Sequence, residues 1–322
     1  MNALVRSAGF QTSVQDLGRI GHRRSGVSLG GALDTHALRV ANALVGNEEN
    51  AAALELTMGT VRLRFDDECV LAWCGGTFSA AIGDEDFPPG HAGVVPKTAE
   101  LRMTAPTAGG RAWLAISGGI DVPLVLGSRS TDLRGNFGGY EGRPLRDGDV
   151  LRLFHRPRLG GGASRISEWS APTPWSSVDG GRAVLRIIRG TDWDLFTSEA
   201  QRALMTSAFT VSPESDRMGA RLEGPELTRQ QSGDLLSETV APGTMQVPPN
   251  GQPILLLGDC QTIGGYPKIA HMITVDLPIA AQLWPGNAVR FEEVSLDHAQ
   301  LLLRERDEDF ARFKVGLSLH AP

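Results

Sequence analysis

The chain has 322 residues, 41% hydrophobic and 21% charged, which is enough for two domains with separate apolar cores and unlike a disordered or low-complexity chain. Its 39 glycines and 19 prolines suit a chain that reverses direction often, as sheet proteins do, and exclude a helical bundle. A formal charge of −6 argues against a nucleic-acid partner, and no run of about eighteen apolar residues offers a membrane span, so the expected location is the cytoplasm.

The first helix is expected after Asp34, whose carboxylate can cap it, with Ala37, Leu38, Ala41, Leu44 and Val45 along one face and Gly46 ending it. Thr60–Phe65 then alternates Val61, Leu63 and Phe65 with polar neighbours, the period-two pattern of a half-buried strand. Similar short runs follow at Cys69–Trp73, Ala112–Ser117, Val150–Phe154, Ala183–Ile188, Pro253–Leu257, Ile269–Val275 and Ala288–Phe291. Helical spacing returns at Leu195–Leu204 and Asp297–Phe313. Between these halves, Arg156–Gly181 turns to Gly160-Gly161-Gly162, Ser and Pro, which reads as a linker, although Trp169 and Trp175 within it should dock against something. The expected organisation is a domain over residues 1–156, a linker over 157–181, a second domain over 182–296 and a helical extension over 297–322. The fold class is mainly β with a few short helices.

Walker A, Rossmann, His-Glu-x-x-His and deaminase zinc motifs are absent, and no histidine stands at a zinc-ligand spacing, so no structural metal is assigned. Three cysteines, with Cys69 and Cys74 on opposite faces if they share a strand, do not make a disulfide framework. Gly26-Val27-Ser28-Leu29-Gly30 fits the G-x-S-x-G elbow, but no buried strand precedes it, so Ser28 is set aside as a nucleophile. Four polar, glycine-bearing segments remain: Gln15–Arg19, Gly127–Arg134, Ser215–Gly219 and Asp259–Pro267. Each couples Asp with Arg, Gln or hydroxyls, groups that can bind an oxyanion or move a proton, although such pairs also stabilise ordinary turns. The last two segments follow strand ends, and Asp216, Arg217, Asp259 and Gln261 are expected to share one polar site.

In this order the segments resemble the C-subunit family of 5-oxoprolinase, also described as kinase-inhibitor antagonists and as allophanate hydrolase subunit 2. The resemblance rests on Gln15-Asp16-Leu17-Gly18-Arg19, Leu33-Asp34, Ala41–Asn47, Gly118–Pro123, Gly127–Asp132, Ser215–Gly219, Leu236-Ser237-Glu238, Gln246–Pro249 and Gln261–Pro267, across about residues 3 to 295. Ser28–Gly31 and Ile263 depart from the family's usual residues. The resemblance implies two cyclophilin-like β-barrel domains and a complex with 5-oxoprolinase subunits B and A that opens 5-oxoproline to L-glutamate with ATP and magnesium. Asp132, Asp216 and Asp259 are the candidate catalytic or magnesium-binding carboxylates. Arg19, Arg129, Ser130, Thr131, Arg134, Arg217, Gln261, Thr262, Gly264, Gly265 and Tyr266 are the candidates for holding substrate or phosphate. Related chains also serve in biotin-dependent urea carboxylation; this chain has no biotin-carrier Met-Lys-Met, so that reading needs other subunits. A third reading, a regulator that binds a histidine-kinase inhibitor, involves no catalysis.

Overall fold

The computed structural model describes residues 1–105, 110–154, 165–172, 175, 182–231, 233 and 235–320. They fall into two compact units that are not continuous in sequence. The first comprises Met1–Arg19, Gly30–Val178 and Ala311–Pro322, and the second comprises Ile20–Leu29 and Asp179–Phe310.

In the first unit the strands are β1 (Asn2–Ala8), β2 (Gln11–Gln15), β3 (Ala53–Thr57), β4 (Thr60–Phe65), β5 (Cys69–Gly75), β6 (Ser79–Ile82), β7 (Glu85–Asp86), β8 (His91–Val95), β9 (Glu100–Thr104), β10 (Arg111–Ile116), β11 (Val150–Arg152) and β12 (Arg165–Ser170). Among the described residues they form two six-stranded sheets, ordered β11-β1-β4-β9-β6-β7 and β12-β8-β5-β10-β3-β2. Both sheets feed one core, in which Leu54, Leu56, Val61, Leu63, Phe65, Leu71, Trp73, Leu114 and Ile116 are buried together. Where β4 keeps a wet face, it alternates as its sequence does. β10 does not alternate, because it is buried along its whole length. Helix α1 (Thr35–Leu44) packs against β5 and β10, so their outward residues are covered as well. On that face the Glu55 carboxylate accepts from the Trp113 indole at 3.0 Å and from the Leu33 amide at 3.0 Å. Asp34 caps α1, its carboxylate accepting from Ala37 N at 2.8 Å.

The segment 157–181, expected to be a linker, contains β12, which pairs with β8; the rest of it, apart from residues 171, 172 and 175, lies outside the described residues. Its tryptophans are docked. Phe313 stacks on Trp169 with centroids 5.2 Å apart and meets Trp175 edge-on at 5.6 Å. Trp175 in turn meets the His36 ring at 4.9 Å.

In the second unit seven strands close into a barrel. They are β13 (Arg182–Arg189), β14 (Phe209–Val211), β15 (Gly219–Glu223), β17 (Thr244–Gln246), β18 (Ile254–Leu256), β20 (Lys268–Met272) and β21 (Ala288–Glu293), in the order β13-β20-β17-β18-β15-β14-β21. Parallel pairing of β13 with β21 completes the ring. Closure removes the unpaired edges that an open sheet would expose. Leu185, Ile187, Phe209, Leu222, Met245, Leu255 and Phe291 are buried. β16 (Glu238–Thr239) and β19 (Ile263–Gly264) form a separate two-stranded pair. The helices are α2 (Ser198–Thr206), capped by Thr197, the short α3 (Leu277–Ala281) and α4 (Leu296–His320), which is counted with the first unit from Ala311 onward and extends seven residues past the expected Phe313. Ile269–Val275, read as one strand, ends at Met272, where a 3-10 turn over Thr274–Asp276 begins. The buried Asp276 fixes that turn by accepting from the Arg186 amide at 2.7 Å and from its guanidinium. The three cysteines are free, buried thiols, and burial raises the Cys260 thiol to about 11 despite the nearby Arg23 guanidinium.

Half-buried His271 on β20 is held below the ordinary imidazole value, first by burial and then by the Lys268 charge, against a smaller upward pull from Asp192. The folded state therefore favours the neutral ring. That contribution is complete above the ordinary value of 6.5 and is lost as pH falls through the depressed one. Below about pH 6.5 the melting temperature should fall more steeply in the native protein than in His271→Asn, as measured by thermal unfolding across pH.

Candidate functional site

Two polar clusters emerge, one in each unit. In the first, the centre is Asp16, a buried residue at the end of β2. Its Oδ1 accepts from Gly18 N at 2.8 Å and from the Ser128 and Ser130 hydroxyls, both at 2.6 Å; its Oδ2 accepts from Arg129 N at 2.6 Å. The Asp16 amide donates to Ser130 Oγ at 2.9 Å. One carboxylate thus gathers the segments 15–19 and 127–132 into a single knot. Sequence reading selected both segments but not Asp16 as their hub.

The residues expected here to hold a ligand mostly hold each other. Arg19 is fully buried, donates to the Ser130 carbonyl and lies under the Phe137 ring at 4.6 Å. Arg129 donates from Nε to the Val122 carbonyl at 3.1 Å and stacks over Phe154. Thr131 donates its hydroxyl to the Val14 carbonyl at 3.0 Å. Asp132 Oδ1 accepts from Gly135 N at 2.7 Å and Arg134 N at 3.2 Å, the work of a turn residue. Arg134 is exposed.

In the second unit, Arg217 and Asp259 do come together. The guanidinium donates through Nε at 2.8 Å and Nη2 at 3.0 Å to the two carboxylate oxygens, with both side chains over 90% buried. The two residues thus share one site, as expected, and the guanidinium fork suggested for a ligand anion is turned on Asp259. Asp216, also expected at this site, closes its own turn by accepting from Met218 N at 2.8 Å and Gly219 N at 3.2 Å.

Beyond Asp259 the chain enters a second group. Gln261 donates to Gln246 Oε1 at 3.2 Å, and Gln246 donates to the Tyr266 carbonyl at 3.2 Å. Thr262 is buried, its carbonyl accepting from Val240 N. Gly264 pairs with Glu238 across β16 and β19, and a Cβ there would press on the Gln246 amide at 2.6 Å. Gly265 lies beside Ser237, and the Tyr266 side chain is exposed. Across the barrel strands Gln246 pairs with Lys268. The Lys268 side chain is buried, with Nζ 2.8 Å from Glu238 and 3.1 Å from Asp192. Burial alone would lower its pKa, but the two carboxylates outweigh burial and raise it. Sequence reading missed Lys268, Glu238 and Asp192. A lysine directly before the apolar pair Ile269-Ala270 at the start of a strand was the available signal. Among the described residues, no three His, Cys, Asp or Glu side chains meet as a metal site.

The two knots make separable predictions. Arg217→Ala strands a buried carboxylate and should lower unfolding free energy by about 3–5 kcal/mol, and Arg217→Lys by less, because one of two directed bonds survives; denaturant unfolding measures both. Asp16→Asn puts an amide N–H₂ in place of one of two oxygens that each accept from a fixed backbone N–H, and should cost about 1–3 kcal/mol in the same assay.

Comparison with known proteins gives a consistent relation. The chain is 42% identical to the C subunit of 5-oxoprolinase from Escherichia coli over 292 residues, covering 91% of both chains. It is 37% identical to the corresponding C subunit from Haemophilus influenzae over 297 residues, covering 92% of this chain and 93% of that one. The solved structure of K. lactis urea amidolyase superposes on 97% of this chain with a TM-score of 0.88 and 31% identity, and the matched part is 20% of that much longer chain. Residues 25–293 match the family described as carboxyltransferase domain, subdomain A and B, and the chain belongs to that family.

Proposed function

We propose that this chain is the C subunit of an ATP-dependent 5-oxoprolinase and acts with subunits A and B to open 5-oxoproline to L-glutamate. The observation that carries the reading is the length of the match to the E. coli C subunit, which runs through 91% of both chains.

The reaction sets clear demands. A five-membered lactam is a poor electrophile, and phosphorylation of its carbonyl oxygen by ATP creates a leaving group. A protein surface then has to hold the substrate and stabilise developing negative charge. In the second unit the groups suited to this are the Lys268 ammonium and the Gln246 and Gln261 amides, fixed to one another across the barrel strands and the 259–266 loop. Lys268, kept protonated by Asp192 and Glu238, supplies positive charge; the amides supply directed donors. Asp132 and Asp216 accept from backbone amides of their own turns and Asp259 from Arg217, so charge stabilisation falls to Lys268 and the amides, and these carboxylates are left as the candidates for proton transfer. Magnesium enters with ATP at the level of the complex, and no step is assigned to a metal on this chain.

A second reading, carboxyl transfer to urea or a related amide, is favoured by the superposition on K. lactis urea amidolyase. It requires a biotin-bearing partner. Purified chain, subunits A and B, and the three together should be assayed for glutamate release from 5-oxoproline with MgATP. Turnover is expected only from the full set, and Lys268→Met should reduce it by at least about tenfold at a temperature where thermal unfolding shows the variant folded, since the substitution also leaves Asp192 without its cation. Robust turnover by the chain alone would overturn the subunit reading. An inactive full set that gains biotin-dependent urea carboxylation with a carboxylase partner would establish the second.

A further inference from the structure

The first unit contains an open cavity of about 360 Å³ walled by Val122, Pro123, Val125, Phe137, Tyr140 and Val150, with the backbone of residues 137–142 along one side. We propose that this cavity binds a small monocarboxylate with a largely apolar body, and that the backbone N–H groups of Gly138, Gly139, Tyr140 and Glu141 hold its carboxylate. 5-oxoproline is itself a small ring monocarboxylate, so the ligand class overlaps that of the oxoprolinase reading, but the residues that carry the proposal are not the ones assigned there.

The backbone hydrogen bonding points to an anion. Among the described residues no acceptor meets the N–H of Gly138, Gly139, Tyr140 or Glu141, whereas the next two amides are paired, Gly142 N to the Gly138 carbonyl at 2.8 Å and Arg143 N to the Tyr140 carbonyl at 3.2 Å. Gly139 is buried, where an unmet N–H is costly. Gly138, Gly139, Glu141 and Gly142 all have positive φ, at 69°, 53°, 54° and 68°. Successive amides in such turns can converge on one concavity, a recurrent way of holding an oxyanion.

The surroundings support the same ligand. A Cβ at Gly138 would overlap the Arg19 guanidinium and the Ser130 carbonyl, and one at Gly139 the Thr131 hydroxyl, so this backbone lies directly on the Asp16 knot with the buried Arg19 charge behind it. The two carboxylates at the cavity are neutralised, Asp121 by Arg152 at 3.3 Å and Glu141 by Arg143 at 2.9 Å. Arg152, the guanidinium among the lining residues, is already paired, which favours a single negative charge over a dianion. Left-handed φ at Leu126, Asn136 and Glu141 places in this one stretch three of the five such non-glycine residues found among the described residues, as strain gathers at ligand loops. The volume is at the lower end of the roughly 300–1,000 Å³ of small-molecule pockets and excludes a folded peptide.

The test uses the full chain labelled with ¹⁵N-glycine. Cyclopentanecarboxylate should shift the Gly138 and Gly139 amide signals saturably, and the neutral isostere cyclopentanecarboxamide should bind at least about tenfold more weakly. Val125→Trp, which fills the cavity from its wall, should abolish the shifts without changing the melting temperature. Equal shifts from the carboxamide, undiminished binding to Val125→Trp, or a response to inorganic phosphate but not to the carboxylate would each overturn the proposal. Turnover by the assembled complex is measured separately, so the site and the proposed function can fail independently.

Discussion

The first unit depends on a single carboxylate. Asp16 has traded bulk water for four donors, two from fixed backbone amides and two from hydroxyls, which is the condition under which a buried carboxylate is tolerated. Everything built on the 127–132 loop inherits that arrangement. Ser130 and Thr131 are placed by it, Arg19 is laid against the Ser130 carbonyl, and the glycines at 138 and 139 are pressed onto both. Glycine is required at those two positions by contact as well as by φ, since any side chain would meet atoms that the knot holds still.

The second unit uses charge in the same way. Arg217 and Asp259 satisfy each other in a buried, two-bonded pair, a motif that fixes geometry more than it adds stability. Lys268 differs because one of its partners, Glu238, is largely exposed and sits on the two-stranded β16–β19 pair outside the barrel ring. A cation held between a half-buried and an exposed carboxylate can exchange one of them for a ligand at lower cost than Arg217 can release Asp259. This contrast is why the reading of function moves from Arg217 to Lys268.

The sequence made the strands with one wet face readable, because burial there follows a period of two, as in β4 and β21. β10 was found as a strand although all six residues are buried; that α1 covers its second face could not be read from its own sequence. Trp169 and Trp175 were correctly expected to be docked, but their partner Phe313 lies more than a hundred residues away, beyond the reach of local pattern. The same limit governed the sites. Composition identified which loops carry Asp, Arg and Gln, and several of them do converge. It could not say whether each group already had a partner, and partnership separates a turn-closing Asp132 or an Arg217 bound to Asp259 from a group available to a ligand.

This distribution of satisfied and available groups bears on how the chain would work within a larger complex. Most of the Asp and Arg side chains selected from sequence are used in holding loops, and the groups best placed to meet a substrate are amides, backbone N–H groups and one guarded lysine. Such groups bind and orient, and they stabilise negative charge, but they do not by themselves deliver or remove a proton at neutral pH. Under the proposed function, a chain with this inventory would hold a substrate or a phosphorylated intermediate while other subunits supply acids and bases. The length of its match to a protein named as one component of a hydrolase accords with that division of labour.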